Sequence, residues 1–294
     1  MVIYILKVGE IMKIAVITDS GSNIFQEKVT MEGLYVLPLT ITDENKTYLE
    51  GLEISVDETY DLMAQGKMLK TSQPPLGLIE ELFLRLKDEY DLLFAVPITS
   101  GLSGCLSAMI TTAERYDIPF DYIDCYSTAS NQLHLATTAR RLFDKNEPIE
   151  KVKALLIEAS LQSVTFVLPV DMKHLVRGGR LTKRAATLAG LFKIVPVLIV
   201  NKESGGKNDV FDKVRTLRRA EDRVIEYFKE HNVGKGYRIC VAHVKDEAEG
   251  TNFYHKMKEA FPEADIYLTQ LISTVGVHTG LGCVACQFIK MIEQ

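Results

Sequence analysis

The chain has 294 residues, 47% apolar and 25% charged, the balance of an ordinary folded protein with room for two domains. A formal net charge of -5 argues against non-specific nucleic-acid binding, which needs a basic footprint. The cysteine count, five, is odd and shows no disulfide ladder, which points to the reducing cytosol.

At the N-terminus, MVIYILKVGE has too short an apolar run for a signal peptide and lacks a small-residue cleavage site. Residues 1–11 are read as an extension, and Met12, directly before KIAVITDS, is a candidate start. From there, short runs rich in Val, Ile and Leu alternate with segments of helical period. That is the pattern of parallel strands under covering helices, so the fold class is α/β. A strand over Lys13–Thr18 leads into Thr18-Asp19-Ser20-Gly21, and a second spans Tyr35–Thr42. A helix over Val56–Gln65 precedes Thr71-Ser72-Gln73-Pro74-Pro75, a hydroxyl-rich stretch stiffened by two prolines before a helix over Leu78–Asp88. The strand Leu92–Ile98 runs into Thr99-Ser100-Gly101-Leu102-Ser103-Gly104, at the start of a helix over Ser103–Tyr116. Each of these loops, taken singly, reads most simply as a helix cap. Together they put small polar groups at the carboxyl ends of strands, the edge where open α/β sheets bind ligands.

A strand at Asp121–Asp124 and helices at Ser130–Phe143 and Ile149–Ser160 complete a first domain, residues 12–160. The second, residues 161–294, is expected to hold strands at Thr165–Pro169, Ile194–Val200, Tyr237–Val244 and Asp265–Leu271, with helices at Thr216–His231 and Glu247–Phe261. Between Asp171 and Arg219 twelve Lys or Arg face four Asp or Glu, a local excess of +8 that leaves the remainder near -13. Such a cluster is either a solvated set of helix faces or a surface for an anionic group.

Near the C-terminus, VGVHTGLGCVAC mixes three signals. Gly280, Gly282 and Ala285 formally match GxGxx(G/A), yet no following strand or ribose-binding acid remains within the chain. Cys283 and Cys286 fall one helical turn apart without a second pair to complete a zinc shell, so core packing is expected and no metal. What is left is His278-Thr279 between glycines, at a strand end where a helix is expected to begin, a setting that suits a negative group. The charge-free stretch Ile266–Ile289 reaches membrane-spanning length, but its glycines and polar residues fit a strand, loop and helix better. Gly101-Leu-Ser103-Gly104-Cys105 is not the GxSxG nucleophile elbow, and neither a Walker A loop nor HExxH is present.

TDS at Thr18–Ser20, TSQPP at Thr71–Pro75, SGLSG at Ser100–Gly104, RGGRL at Arg177–Leu181, KVRT at Lys213–Thr216 and GVHTG at Gly276–Gly280 occur in this order and at these spacings. Together they resemble the DegV family of bacterial fatty-acid-binding proteins, from about Met12 to the C-terminus. The resemblance implies a Rossmann-like N-terminal domain and a smaller α/β C-terminal domain enclosing one long-chain fatty acid. It also implies presentation of that acid to the catalytic subunit of a fatty acid kinase, which makes an acyl-phosphate for phospholipid synthesis. By motif, the carboxylate would lie among Thr71 or Ser72, Ser103 with Ser100 second, and His278-Thr279. Arg177, Arg180 and Arg215 would lie on the face that meets the kinase or its transferred phosphate. Cys105 stands where the family often has threonine, and Pro75 where it commonly has serine.

Such a carrier is not an enzyme in its own right and needs no cofactor beyond its lipid. A cytoplasmic location follows, no nucleic-acid partner, and peripheral contact with a membrane for lipid exchange is compatible with it. Burial is worth about 0.8 kcal/mol per methylene, so the tail supplies affinity while the head must be hydrogen-bonded or protonated. Leu133, Leu135 and Ala136, and the run Leu188–Leu198, serve equally as tunnel wall or as domain packing. Two other classes compete: an α/β hydrolase or phosphoryl-transfer enzyme using Asp19 or His278, and an interaction module acting through the basic face alone.

Overall fold

The computed structural model describes residues 12–190 and 194–292, so the expected extension, 1–11, lies outside the described residues. Strand β1 (Ile14–Asp19) is buried along its whole length. It pairs in parallel with β2 (Leu34–Leu37) and with β6 (Leu92–Ala95), which in turn pairs with β7 (Phe120–Tyr122), in the order β2-β1-β6-β7. Because neighbouring side chains on a strand point to opposite faces, each face needs its own cover. Ala15, Ile17 and Leu93 pack on α2 (Leu76–Leu86) and α3 (Cys105–Arg115) through Ile79, Phe83 and Met109. Val16, Leu92 and Phe94 pack on α4 (Ala129–Asp144) and α5 (Ile149–Leu161) through Leu135, Ala139 and Leu156.

Between β2 and α2 the chain forms a small antiparallel sheet, with β3 (Thr40–Thr42) between β4 (Thr47–Leu49) and β5 (Lys70–Ser72). Helix α1 (Val56–Ala64) follows β4 and opens with a capping box: Ser55 accepts from the Glu58 amide while Glu58 reaches back to Ser55. The expected single strand Tyr35–Thr42 is thus two, broken at Pro38, which has no N–H for a ladder.

The second large sheet runs β10-β9-β8-β13-β11-β12. It comprises β8 (Val164–Leu168), β9 (Val195–Val200), β10 (Asp209–Val214), β11 (Tyr237–His243), β12 (Asp265–Gln270) and β13 (Val284–Lys290). Only the β11–β12 pairing is parallel, which corrects the expectation of parallel strands here. One face is sealed by α8 (Leu217–Glu230) and α9 (Glu247–Ala260) around Phe166, Phe228, Phe253 and Phe288. The other carries α6 (Met172–Gly178), α7 (Lys183–Ala186) and α10 (Ser273–Thr279).

The helix expected after Gly280 is strand β13, and His278 lies in the last turn of α10 rather than before a helix N-terminus. Val284 to Ile289 is buried on both faces, so the alternation that marks a half-exposed strand is missing from its sequence. The two thiols nearby, Cys283 just before β13 and Cys286 within it, are free and buried, and burial pushes Cys283 up to about 12.

Helix α4 lies between the two large sheets. Its Gln132 amide donates to Thr18 Oγ1 at 3.0 Å, and its Asn131 amide donates to the Phe288 carbonyl at 3.1 Å. Gln287 of β13 ties the start of the helix, accepting from Ser130 N at 3.1 Å and donating to Thr128 O at 3.0 Å. Leu135 and Ala136 are therefore core packing against β1 and β6. Leu188 and Leu198 pack with Leu175 and Val277 in the second core, while residues 191–193 of that run lie outside the described residues.

Candidate functional site

The TSQPP, SGLSG and GVHTG loops come together at one cavity of about 360 Å³, a size at the lower end of ordinary small-molecule sites, while Thr18–Gly21 does not line it. Its polar wall includes Thr71, Ser72, Gln73, Ser103, Asn208, Thr274, His278 and Thr279, and its apolar wall Leu39, Ile98, Leu102 and Val275. Thr71 is on β5, Ser103 on the turn into α3, and His278 and Thr279 on the last turn of α10, so three separate elements converge.

Thr71 Oγ1 and His278 Nε2 are 2.7 Å apart, linking positions 207 residues apart in the chain. Burial, with Arg180 and His174 adding like charge, holds His278 down at about 4, so the imidazole is neutral at physiological pH. His174 of α6 donates from Nε2 to the Val277 carbonyl at 2.7 Å, bracing the same turn. Thr279 is buried, and its hydroxyl has no partner among the described residues. The residue lines the cavity, but the oxygen itself is buried and lies beside the Cys283 thiol. Ser103 Oγ accepts from Cys105 N at 3.2 Å and keeps its own proton free to donate.

The remaining expected residues fall in different places. Ser100 is exposed, bonded through its hydroxyl and amide to Asp124, and does not line the cavity. Arg177 and Arg215 are exposed. Arg180 instead lines the cavity, donating to the Gly178 carbonyl at 2.7 Å and to the Leu102 carbonyl at 3.4 Å. The RGGRL turn thus supplies the wall a positive charge, where an outward-facing one was expected.

Glycines make this convergence possible. A Cβ at Gly101 would fall 2.3 Å from the Gly205 carbonyl, and one at Gly206 would fall 2.0 Å from Thr99 Oγ1. The SGLSG loop therefore lies directly on the β9–β10 turn, which brings Asn208 to the cavity.

Beneath the cavity lie two buried carboxyls. Asp19 accepts from Ile98 N at 2.7 Å, Gly21 N at 2.8 Å and Gln132 Nε2 at 3.2 Å. These bonds oppose the burial that raises it. Glu50, absent from the sequence reading, accepts from Ser20 Oγ at 2.5 Å and Thr274 N at 2.7 Å, and burial raises it to about 7. Its only signal in the sequence is a glutamate set among apolar residues in YLEGLEI, a signal that Glu53 shares. Among the described residues no group of three or more His, Cys, Asp or Glu is placed to hold a metal ion, and no helix is long and apolar enough to cross a membrane.

These three sheets and this cavity define an α/β fold built around a ligand-sized site. The family model described as "Uncharacterised protein, DegV family" matches residues 13–291, and the chain belongs to the DegV family. It is 29% identical over 284 residues to a DegV domain-containing protein of Streptococcus pneumoniae, with 96% of this chain and 100% of that one covered. Among solved structures, a fatty acid binding DegV family protein from Streptococcus agalactiae is similar with a TM-score of 0.86 at 28% identity, covering 95% of this chain and 99% of that one. DegV, a fatty acid binding protein from Bacillus subtilis, is similar with a TM-score of 0.83 at 25% identity and the same coverage.

Proposed function

We propose that this protein binds one long-chain fatty acid and presents its carboxylate to a separate kinase subunit for phosphorylation to an acyl-phosphate. The observation that carries the reading is the Thr71–His278 pair at 2.7 Å on the wall of a cavity that also offers Leu39, Ile98, Leu102 and Val275. The fatty-acid binding of the S. agalactiae and B. subtilis relatives supports it. In this reading Thr71, Ser72, Ser103, His278 and Thr279 hold the carboxylate, and Ser100 has no part in it. Neutral donors suit the task, because a buried anion needs hydrogen bonds, while a tight cationic clamp would blunt the oxygen that must attack a phosphoryl donor. Arg180 shares its guanidinium with two backbone carbonyls, and its charge lies beside the site where a transferred phosphate would form. Arg177 and Arg215 would meet the kinase. The two units divide near Ser160, and the working place is the cytosol, with peripheral membrane contact during lipid exchange.

The competing enzyme reading needs a nucleophile, a base and a group that orients the base. Thr71 and His278 supply the first two, but Nδ1 of His278 faces Gly178 rather than a carboxylate. Native mass spectrometry of the purified protein separates the readings. A carrier leaves the cell with a fatty acid bound, one per chain. A protein that emerges without lipid, and stays without it after incubation with palmitate, is not such a carrier.

A further inference from the structure

The cavity wall rests on one buried carboxyl that the binding chemistry above does not use. Glu50 directly follows β4 and is 1% exposed. Its Oε1 accepts from the Thr274 amide at 2.7 Å, and its Oε2 accepts from Thr274 Oγ1 at 3.1 Å and Ser20 Oγ at 2.5 Å. Ser20 Oγ in turn accepts from Leu39 N at 2.9 Å. Thr274 and Leu39 both line the cavity, and Thr274 stands one helical turn before His278 on α10. β4, which Glu50 follows directly, and the strand that carries Thr71 flank β3 in the small sheet. One carboxyl therefore joins Ser20, in the turn after β1, to the first turn of the helix that carries His278, from a position at the edge of the small sheet.

No cation lies within ion-pair distance of it among the described residues. The titratable groups around it are Asp19 at the end of β1 and Tyr60 of α1, whose hydroxyl donates to the Leu271 carbonyl at 2.5 Å. Across the cavity stand His278 and Arg180, with His174 beyond them. An anion entering this space meets a second, buried anion unless one of the two is protonated.

The geometry points to Glu50 as a positioning residue for the ligand head group: it holds the first turn of the helix that carries His278 and takes up a proton from solvent when a carboxylate binds beside it. This rests on the fatty-acid reading. Burial raises Glu50 to about 7, so its proton is exchangeable near neutrality, while His278, held at about 4, stays neutral between pH 6 and 8 and adds nothing to a slope there. Because the bound anion favours protonated Glu50, affinity falls as pH rises past 7, by at most about tenfold per pH unit for one proton.

The test measures palmitate affinity between pH 6 and 8 for the full chain and for Glu50→Gln and Glu50→Asp, so that the titration of palmitate itself cancels between variants. The native chain is expected to lose affinity with rising pH, Glu50→Asp to keep that slope, and Glu50→Gln to flatten it while its thermal midpoint shows it folded. A Glu50→Gln slope equal to the native one overturns the inference. A second arm needs no lipid: the ring nitrogens of His278, followed by NMR in the ligand-free protein, should show a step near neutrality that is absent from Glu50→Gln. If palmitate fails to bind the native chain, the carrier reading falls, and this ring titration alone decides whether Glu50 acts on the site. A missing step in the native chain, or an unchanged one in Glu50→Gln, overturns it.

Discussion

Gly178 lies flush against the imidazole of His278: a Cβ built on it would sit 2.6 Å from Nδ1 and 3.3 Å from Cβ of the histidine. The glycine-rich turn of RGGRL therefore serves to let α6 approach α10, and only then to place Arg180. Gly178 is the last residue of α6 with no positive φ, so its backbone would accept alanine. The added methyl must instead push the ring away from Thr71. Gly178→Ala is expected to weaken fatty-acid binding by roughly tenfold, within the ~1–3 kcal/mol that overpacking costs. Isothermal titration with palmitate, alongside a melting curve, checks it; native affinity in a folded variant would mean that the histidine's position does not matter to the ligand.

The two serines of SGLSG provide a paired comparison on one loop. Ser103 lines the cavity, whereas Ser100 is exposed and bonded to Asp124. A hydrogen bond to a charged group is worth about 1.5–3 kcal/mol, so Ser103→Ala should reduce affinity about tenfold or more while Ser100→Ala leaves it within a factor of two or so. Equal losses, or a larger loss at Ser100, would show that the loop turns over when lipid binds.

Legibility differed from element to element for physical reasons. β1, β6 and β8 are short apolar runs bounded by turn residues, and the sequence places them to within a residue or two at most boundaries and within three at the end of β6. β4 and β5 are three-residue edge strands of a small sheet, too short to carry a period. α10 has seven residues with a glycine inside, and its start is tied down by Glu50 at Thr274 and by Tyr60 at Leu271, contacts made from more than 200 residues away. At the site, Thr71, Ser103 and His278 were visible because hydroxyls and an imidazole stand among glycines and prolines. Arg180 was visible as a charge, but its direction was not, since which way it points depends on the Leu102 and Gly178 carbonyls it meets. Glu50 was missed because little in YLEGLEI separates it from Glu53, which is exposed; the fold alone decides which of the two is buried.

Arg215 tests the outer surface separately from the cavity. It is exposed, just before the Thr216 cap of α8, and does not line the cavity. Arg215→Ala is expected to keep its fatty acid through purification, read by native mass spectrometry, and to lower kinase-dependent phosphorylation of that acid by about tenfold, the effect of one charge contact of ~1–2 kcal/mol across an interface. Loss of the lipid itself in this variant would refute an outward role.

Acid stability offers a test that needs neither lipid nor kinase. His134 of α4 is 5% exposed, has no partner for Nε2 among the described residues, and is held down at about 4 by burial and by Arg238 and Arg141. The unfolded chain binds a proton at an ordinary histidine value while the folded one does not, so stability is lost as pH falls from about 6.5 through 4. For His134 the full loss is about 3 kcal/mol, and His278 acts in the same direction. Glu50 acts in the opposite sense: a carboxyl whose folded value is raised favours the folded state at low pH, and that contribution is lost as pH climbs from about 4.5 through 7. Urea unfolding of His134→Gln should therefore lose less stability than the native chain between pH 7 and pH 4, and Glu50→Gln should lose more. If His134→Gln remains as acid-sensitive as the native chain, His134 is not the buried neutral group that α4 holds between the two sheets.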